Sequence, residues 1–283
     1  YFGGGHNGSS NVTIVDRIDY SNDTATAASK GPLSVAKNFL AATGNTDFGY
    51  FGGGVFGGGS TVNRVDYSND TGTAPARGPL SRDHGYLAAA SSRENALPLK
   101  GPGVLEVPVS FGNFSAPGPQ GTDFGYFAGG NSPPQTTIER INFNNDTATA
   151  VTKGPLSTAR RKHAATSNAN FGYFGGGATP SATSTVDRVD YSNDTATASV
   201  RGPLSRAVTN LYNSAAGNND FGYFAGGYPS SSKIDRIDYS NDTATAVLKG
   251  NLETGDSGMS GTGNQSFGYF AGGGGGGAAR THV

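Results

Sequence analysis

The chain has no cysteine and no tryptophan, and a single methionine. Without cysteine there is no disulfide, no thiolate metal site and no thiol nucleophile, and the redox compartment stays open. Charge is scarce as well: 14% of the 283 residues are charged, and the net charge is −1. That balance holds no basic surplus for nucleic acid or anionic lipid and no acidic tail. No apolar run reaches the roughly 18–20 residues needed to span a bilayer. Membrane insertion is therefore not expected, and no signal peptide is visible. The histidines, His6, His84, His163 and His282, follow no metal-ligand spacing, so no metal and no cofactor is expected.

Glycine is abundant, at 46 residues, and so are aromatic rings, with 16 Phe and 13 Tyr. A glycine-rich chain of low hydrophobic content can be disordered. Here the rings recur in register, as a packed repeat requires. The word FGYFGGG or FGYFAGG starts at Phe48, Phe124, Phe171, Phe221 and Phe267, and the chain opens inside a further copy at Tyr1. The shared tyrosines are Tyr1, Tyr50, Tyr126, Tyr173, Tyr223 and Tyr269, spaced by 49, 76, 47, 50 and 46 residues. A period near 48 marks tandem units. Because the first residue falls inside a motif, a processed chain or a piece of a longer one is expected.

The unit from Phe171 reads as four strands. FGYF is short and bounded by glycine. TVDRVDY is rich in β-branched residues, SND is a tight hairpin turn, and TATASV is stopped by Gly202-Pro203. The segment after GPLS supplies the fourth strand. GPLS starts at Gly31, Gly78, Gly154 and Gly202, with its Leu expected as a core anchor; it degrades at Gly250-Asn251-Leu252. Rings fall on both faces of FGYF, with Phe171 and Tyr173 on one and Phe174 on the other, and Gly172 leaves room for a neighbour's ring.

Arg17, Arg64, Arg140, Arg188 and Arg236 precede Asp19, Asp66, Asn142, Asp190 and Asp238 by two residues. Side chains two apart in a strand share a face. The expectation is a ring of inter-blade ion pairs, with a weaker rung at Asn142. A calcium site at Asp19, Asn22 and Asp23 is weighed against turn chemistry, which explains the same residues.

One unit is longer than the others by about 28 residues, and the excess falls near Arg93 to Gln120. Insertions in repeat proteins map to loops on one face, so this stretch is a candidate binding or docking surface. The candidate contact residues are Tyr86, Arg93, Glu94, Phe111, Phe114 and Tyr228. Their aromatic members suit stacking on sugars or anchoring an interface.

Four short strands per unit imply an all-β fold, a β-propeller of four-stranded blades. Five blades are expected, with six or seven if flanking sequence is missing. The domain covers 1–271, in units near 1–49, 50–125, 126–172, 173–222 and 223–268, with 267–271 meeting Tyr1 to close the ring. FGYF is read as an inner blade strand with its exit turn. Residues 272–283 form a glycine-rich flexible tail, where the chain ends or a further domain follows.

Two resemblances follow from these words. The order strand, Gly-Gly, loop, strand with Tyr, hairpin, strand, with Arg160 and His163-Ala164-Ala165 before Phe171 to Gly177, resembles the kelch repeat; TATA stands where that family usually has Trp. The wording DYSNDTATA, GPLS, AATGN, FGYFGGG is similar to repeats in virion and tail-fibre proteins of marine bacteriophages. That resemblance implies a virion structural or adhesive protein without catalysis, set in a larger assembly or homo-oligomer. Its partners would be other virion subunits or a host-surface glycan, with a secreted or cell-surface location as the alternative. A cellular kelch-like protein–protein module is the second reading. A carbohydrate-active enzyme using unrepeated acids such as Asp83, Glu94 or Glu106 is the third.

Overall fold

The computed structural model describes residues 1–55, 58–91, 123–131, 133–275 and 278–279. Five antiparallel sheets stand in a ring, forming a five-bladed β-propeller consistent with kelch-like repeats. Blade 1 is β1 (Phe2–Gly3), β2 (Val15–Arg17) and β3 (Ala28–Ser29). Blade 2 is β4 (Asn38–Gly44), β5 (Phe48–Val55) and β6 (Val62–Asp66). Blade 3 holds β7 (Ala88–Ser91), β8 (Phe124–Ala128), β9 (Ile138–Asn142) and β10 (Val151–Thr152). Blade 4 starts with β11 (Ala164–Ser167) and β12 (Phe171–Gly175). A small hairpin follows, β13 (Ala178–Thr179) and β14 (Ser181–Ala182), and then β15 (Val186–Asp190) and β16 (Ser199–Arg201) complete that blade. Blade 5 is β17 (Ala215–Gly217), β18 (Phe221–Ala225), β19 (Ser231–Asp238) and β20 (Val247–Asp256). The hairpin β21 (Met259–Gly263) and β22 (Gly268–Gly272) packs on β17 of blade 5, and the short pair β23 (Gly274–Gly275) and β24 (Ala278–Ala279) follows it.

The FGYF strand lies second in each full blade. The innermost strand is the alanine-rich segment after GPLS: β7, β11 and β17 are edge strands paired only to the FGYF strand beside them. Small residues suit that place because the inner strands crowd around the axis. Adjacent FGYF residues feed different cores. Phe174 packs with Tyr126, Ile138 and Leu156 of blade 3, and Tyr173 with Phe224 and Ile237 of blade 5. Each such buried ring contributes roughly 1.5–3 kcal/mol of transfer free energy. Gly172 leaves room for a ring of its own blade, since a Cβ there would sit 2.9 Å from the Tyr191 hydroxyl.

GPLS acts as an anchor. Leu33, Leu80, Leu156 and Leu204 are each at most 2% exposed. Where the proline is replaced by Asn251, nothing stops the outer strand, and β20 runs for 10 residues. The S-N-D step joins the two outer strands as a tight turn. In blade 4 it forms a 3-10 turn, Tyr191–Asn193, capped by Asp190, which accepts from Ser192 N.

The last copy meets blade 1 at its turn. Tyr269 donates to Asp23 at 2.8 Å, and Tyr20 stacks on Tyr269 with ring centroids 5.1 Å apart. Among the described residues no ladder joins β22 to β1, and these partners of Tyr269 belong to the blade 1 turn, not to the opening copy at Tyr1.

Candidate functional site

Blades 1 to 4 are each clasped to the next by one carboxylate. Tyr126 and Arg140 of blade 3 donate to Asp194 of blade 4 at 3.0 and 2.7 Å, and Lys153 approaches the other oxygen at 3.3 Å. The same set recurs with Tyr1, Arg17 and Lys30 on Asp70. Tyr50, Arg64 and Arg77 meet Asp146, and Tyr173, Arg188 and Arg201 meet Asp242. Burial first, then the carboxylate, pushes the Tyr50, Tyr126 and Tyr173 hydroxyls well above the ordinary tyrosine range. Burial alone would raise Asp70, but Tyr1, Lys30 and Arg17 outweigh it and hold the carboxyl low.

This corrects the pairing expected from the sequence. Arg17, Arg64, Arg140 and Arg188 do point between blades, but the carboxylate they meet is the aspartate of the next blade's S-N-D turn. Asp19, Asp66, Asp190 and Asp238 bond their own turns instead, accepting from Ser21, Ser68, Ser192 and Ser240. Those serine contacts hold Asp19, Asp66 and Asp238 below the usual carboxylate range. The rung at Asn142 is therefore as short as the others: Arg140 reaches Asp194, while Asn142 accepts from Asn144 N at 2.9 Å. Arg236 sits over the Phe221 ring, 4.2 Å from its centroid, and among the described residues meets no carboxylate.

A second layer of charge lies deeper, at a position the sequence reading passed over. Glu139, Asp187 and Asp235 precede the clasp arginines in β9, β15 and β19, and accept from the backbone of the GPLS serines Ser81, Ser157 and Ser205. Glu139 faces His84 at 3.1 Å and Asp187 faces Arg160 at 2.6 Å, all four side chains buried. His163 is fully buried, and burial followed by the charge of Arg160 pushes it down to about 3. Lys37 donates to the carbonyls of Phe51 and Thr61 and is pushed down to about 8 by burial. Among the described residues no group of three or more His, Asp or Glu side chains is placed to hold a metal ion.

The distinctive surface is at the axis. Phe39, Tyr86, Lys162 and Tyr212 occupy one repeat position, at the entry to the inner strands β4, β7, β11 and β17. All four have positive φ, between 53° and 61°, a backbone state that non-glycine residues seldom adopt and that gathers at functional sites. Backbone bonds link them in a row: Tyr86 N donates to Phe39 O, Lys162 N to Tyr86 O, and Tyr212 N to Lys162 O. Phe39 lies 4.4 Å from the Tyr86 ring and 5.1 Å from the Tyr212 ring. The Lys162 ammonium sits over Tyr86 and Tyr212 at 5.5 and 5.9 Å. Burial, then Tyr86, pushes Tyr212 up to about 12; burial, then Arg161, lowers Lys162. The result is a half-buried rosette of ring faces around one cation.

No protein-family model and no curated protein matches the chain. Of the contact residues expected from the sequence, Tyr86 belongs to the rosette, and Tyr228 stands apart in the β18–β19 loop, 57% exposed. Arg93, Glu94, Phe111 and Phe114 lie outside the described residues, as does Glu106. Phe39, Lys162 and Tyr212 were missed because the words around the shared position differ. The available signal was their place, two or three residues before each inner strand's alanines.

Proposed function

We propose that the chain is a non-enzymatic binding scaffold of a virus particle, a tail or fibre component that presents the axial rosette to a host-surface glycan. One observation carries this reading: three aromatic rings and one lysine from four blades converge, half-buried and in mutual contact, at one end of the axis. Ring faces stack on the apolar faces of sugars, and the ammonium donates hydrogen bonds to hydroxyls or a sugar carboxylate. In four of the five units the repeated charges are spent inside, on the clasp and the buried pairs, which leaves the axial end to differ from blade to blade. The propeller fold fits a protein-interaction module, and contact with neighbouring virion subunits is part of the same proposal. The virion context is supported by the wording of the repeats.

A glycan array with the whole chain tests the binding. Tyr86→Ala and Tyr212→Ala are expected to lower the signal at least tenfold while the melting temperature holds. Uniform silence of the unmodified protein across the array would sink the sugar-binding form. Quantitative mass spectrometry of purified particles tests the context, where many copies per particle are expected.

A further inference from the structure

Blade 5 carries the clasp without its ligand. Tyr223 and Arg236 stand opposite each other in the β18–β19 ladder, as Tyr173 and Arg188 do in blade 4. Lys249 takes the place of the third cation, ahead of Gly250. In the other four cases an aspartate from the next unit fills this set; here, among the described residues, no carboxylate does. In the same four cases a ring from the next unit stacks on the clasp tyrosine, such as Tyr239 on Tyr173 at 4.7 Å. Tyr223 has no such ring among the described residues.

Two glycines mark the same gap. A Cβ on Gly31, Gly78, Gly154 or Gly202 would overlap a backbone carbonyl of the next unit's turn, whereas one on Gly250 would meet nothing within 4 Å. Beside Gly49, Gly125, Gly172 and Gly222 lies the ring of Tyr67, Phe143, Tyr191 or Tyr239, between 2.7 and 2.9 Å from a built Cβ. Beside Gly268 there is only Ala216, at 3.3 Å, and Phe270 at 3.8 Å. A cavity of about 230 Å³ opens there, lined by Tyr223, Ile234, Phe267, Gly268 and Phe270. Finally, β22 pairs with β21 on one edge, and among the described residues no strand pairs with its other edge.

We infer that this cleft binds one further strand–turn–strand segment of the repeat's own type, V-D-R-x-D-Y-S-N-D-T-A-T, laid along the free edge of β22. The register follows from blade 4, where Tyr173 pairs with Arg188 and Phe171 with Asp190. The segment's arginine lies opposite Tyr269 and its first turn aspartate opposite Phe267. Its tyrosine fills the cavity over Gly268 and stacks on Tyr223, and its last aspartate accepts from Tyr223 and Arg236. Main-chain pairing supplies affinity, and the carboxylate and the ring supply specificity. An intact second copy does not fit, because all of its turn aspartates are engaged: Asp23 by Tyr269, and Asp70, Asp146, Asp194 and Asp242 by the clasps.

The test is fluorescence-anisotropy titration of the whole chain against a labelled peptide with the sequence of residues 185–201. Saturable one-to-one binding is expected. Affinity should fall at least tenfold when asparagine replaces the peptide residue matching Asp194, or when the protein carries Arg236→Gln or Tyr223→Phe. Amide exchange should slow in 217–225 and 268–272 on binding. No binding at millimolar peptide overturns the inference, as does binding that ignores both the asparagine peptide and Arg236→Gln. So does a concentration-dependent dimer of the unliganded chain that Arg236→Gln abolishes, which would make a second copy the occupant.

Discussion

Asp194 accepts from Tyr126 and Arg140 and faces Lys153, so its loss leaves two cations and a hydroxyl without their acceptor. Arg140 is about a quarter exposed, which moderates the cost. Asp194→Asn is expected to lower unfolding free energy by about 1–3 kcal/mol in urea denaturation. Arg236→Gln, with no carboxylate to lose, should stay within about 0.5 kcal/mol. Equal effects of the two would show that the clasp does not hold the blades. His163 gives a pH signature. Its folded value is near 3, against about 6.5 in an unfolded chain. As pH falls below about 6.5 the unfolded chain takes up the proton first, so stability drops by up to roughly 1.4 kcal/mol per pH unit. Glu139 is held low, so its contribution is full above the unfolded glutamate range and is lost only in stronger acid. Urea midpoints between pH 7 and 5, compared with those of His163→Gln, therefore isolate the histidine from the buried N-terminal amine, and the substitution should flatten the slope.

At the scale of the element, the GPLS turn fixes where an outer strand stops and how closely the next blade approaches. Gly154 N donates to Asp194 O at 2.8 Å, and a Cβ there would overlap the Ala196 carbonyl. Gly154→Ala is expected to destabilise by roughly 3 kcal/mol or more, while Gly250→Ala, in open space, stays within about 0.5 kcal/mol. Paired thermal melts check this. A similar loss at both sites would mean that the close approach is unimportant. The GPLS leucines were legible in the sequence because an isolated apolar residue after Gly-Pro in every unit has few other uses. The four strands were legible from glycine, proline and β-branched punctuation. The partner of each arginine was not. Alternation places Arg188 and Asp190 on one face, but says nothing of Asp242, which lies 54 residues on and arrives only when blades stack. An offset of 53 or 54 residues was present as a signal in three cases, and the long second unit stretched the fourth to 82 and disguised it. The rosette escaped for another reason: its three rings and one lysine share a backbone position but stand in four different words, FLAA, YLAA, KHAA and YNSA.

For the molecule as a whole, the seam between β21–β22 and blade 1 differs from every other joint. Tyr269 and Asp23 are bonded in an exposed setting and lack the arginine that strengthens the remaining clasps. Asp23→Asn is expected to speed amide exchange in 259–272 several-fold while blades 2 to 4 keep their protection; uniform acceleration would show one cooperative ring instead. The row of backbone bonds at the axis has another consequence. It supports the left-handed turn at Phe39, Tyr86, Lys162 and Tyr212 through main-chain atoms, and Gly258, also at positive φ, donates beside it to Asn210 O. Side-chain identity at those places is thus set by tolerance of the left-handed backbone and not by a shared core contact. Exchange of residues among the four places, by mutation or by recombination between units of near-identical wording, rewrites what the surface recognises and leaves the frame intact. The repetition that stabilises the ring is also a means of diversifying it.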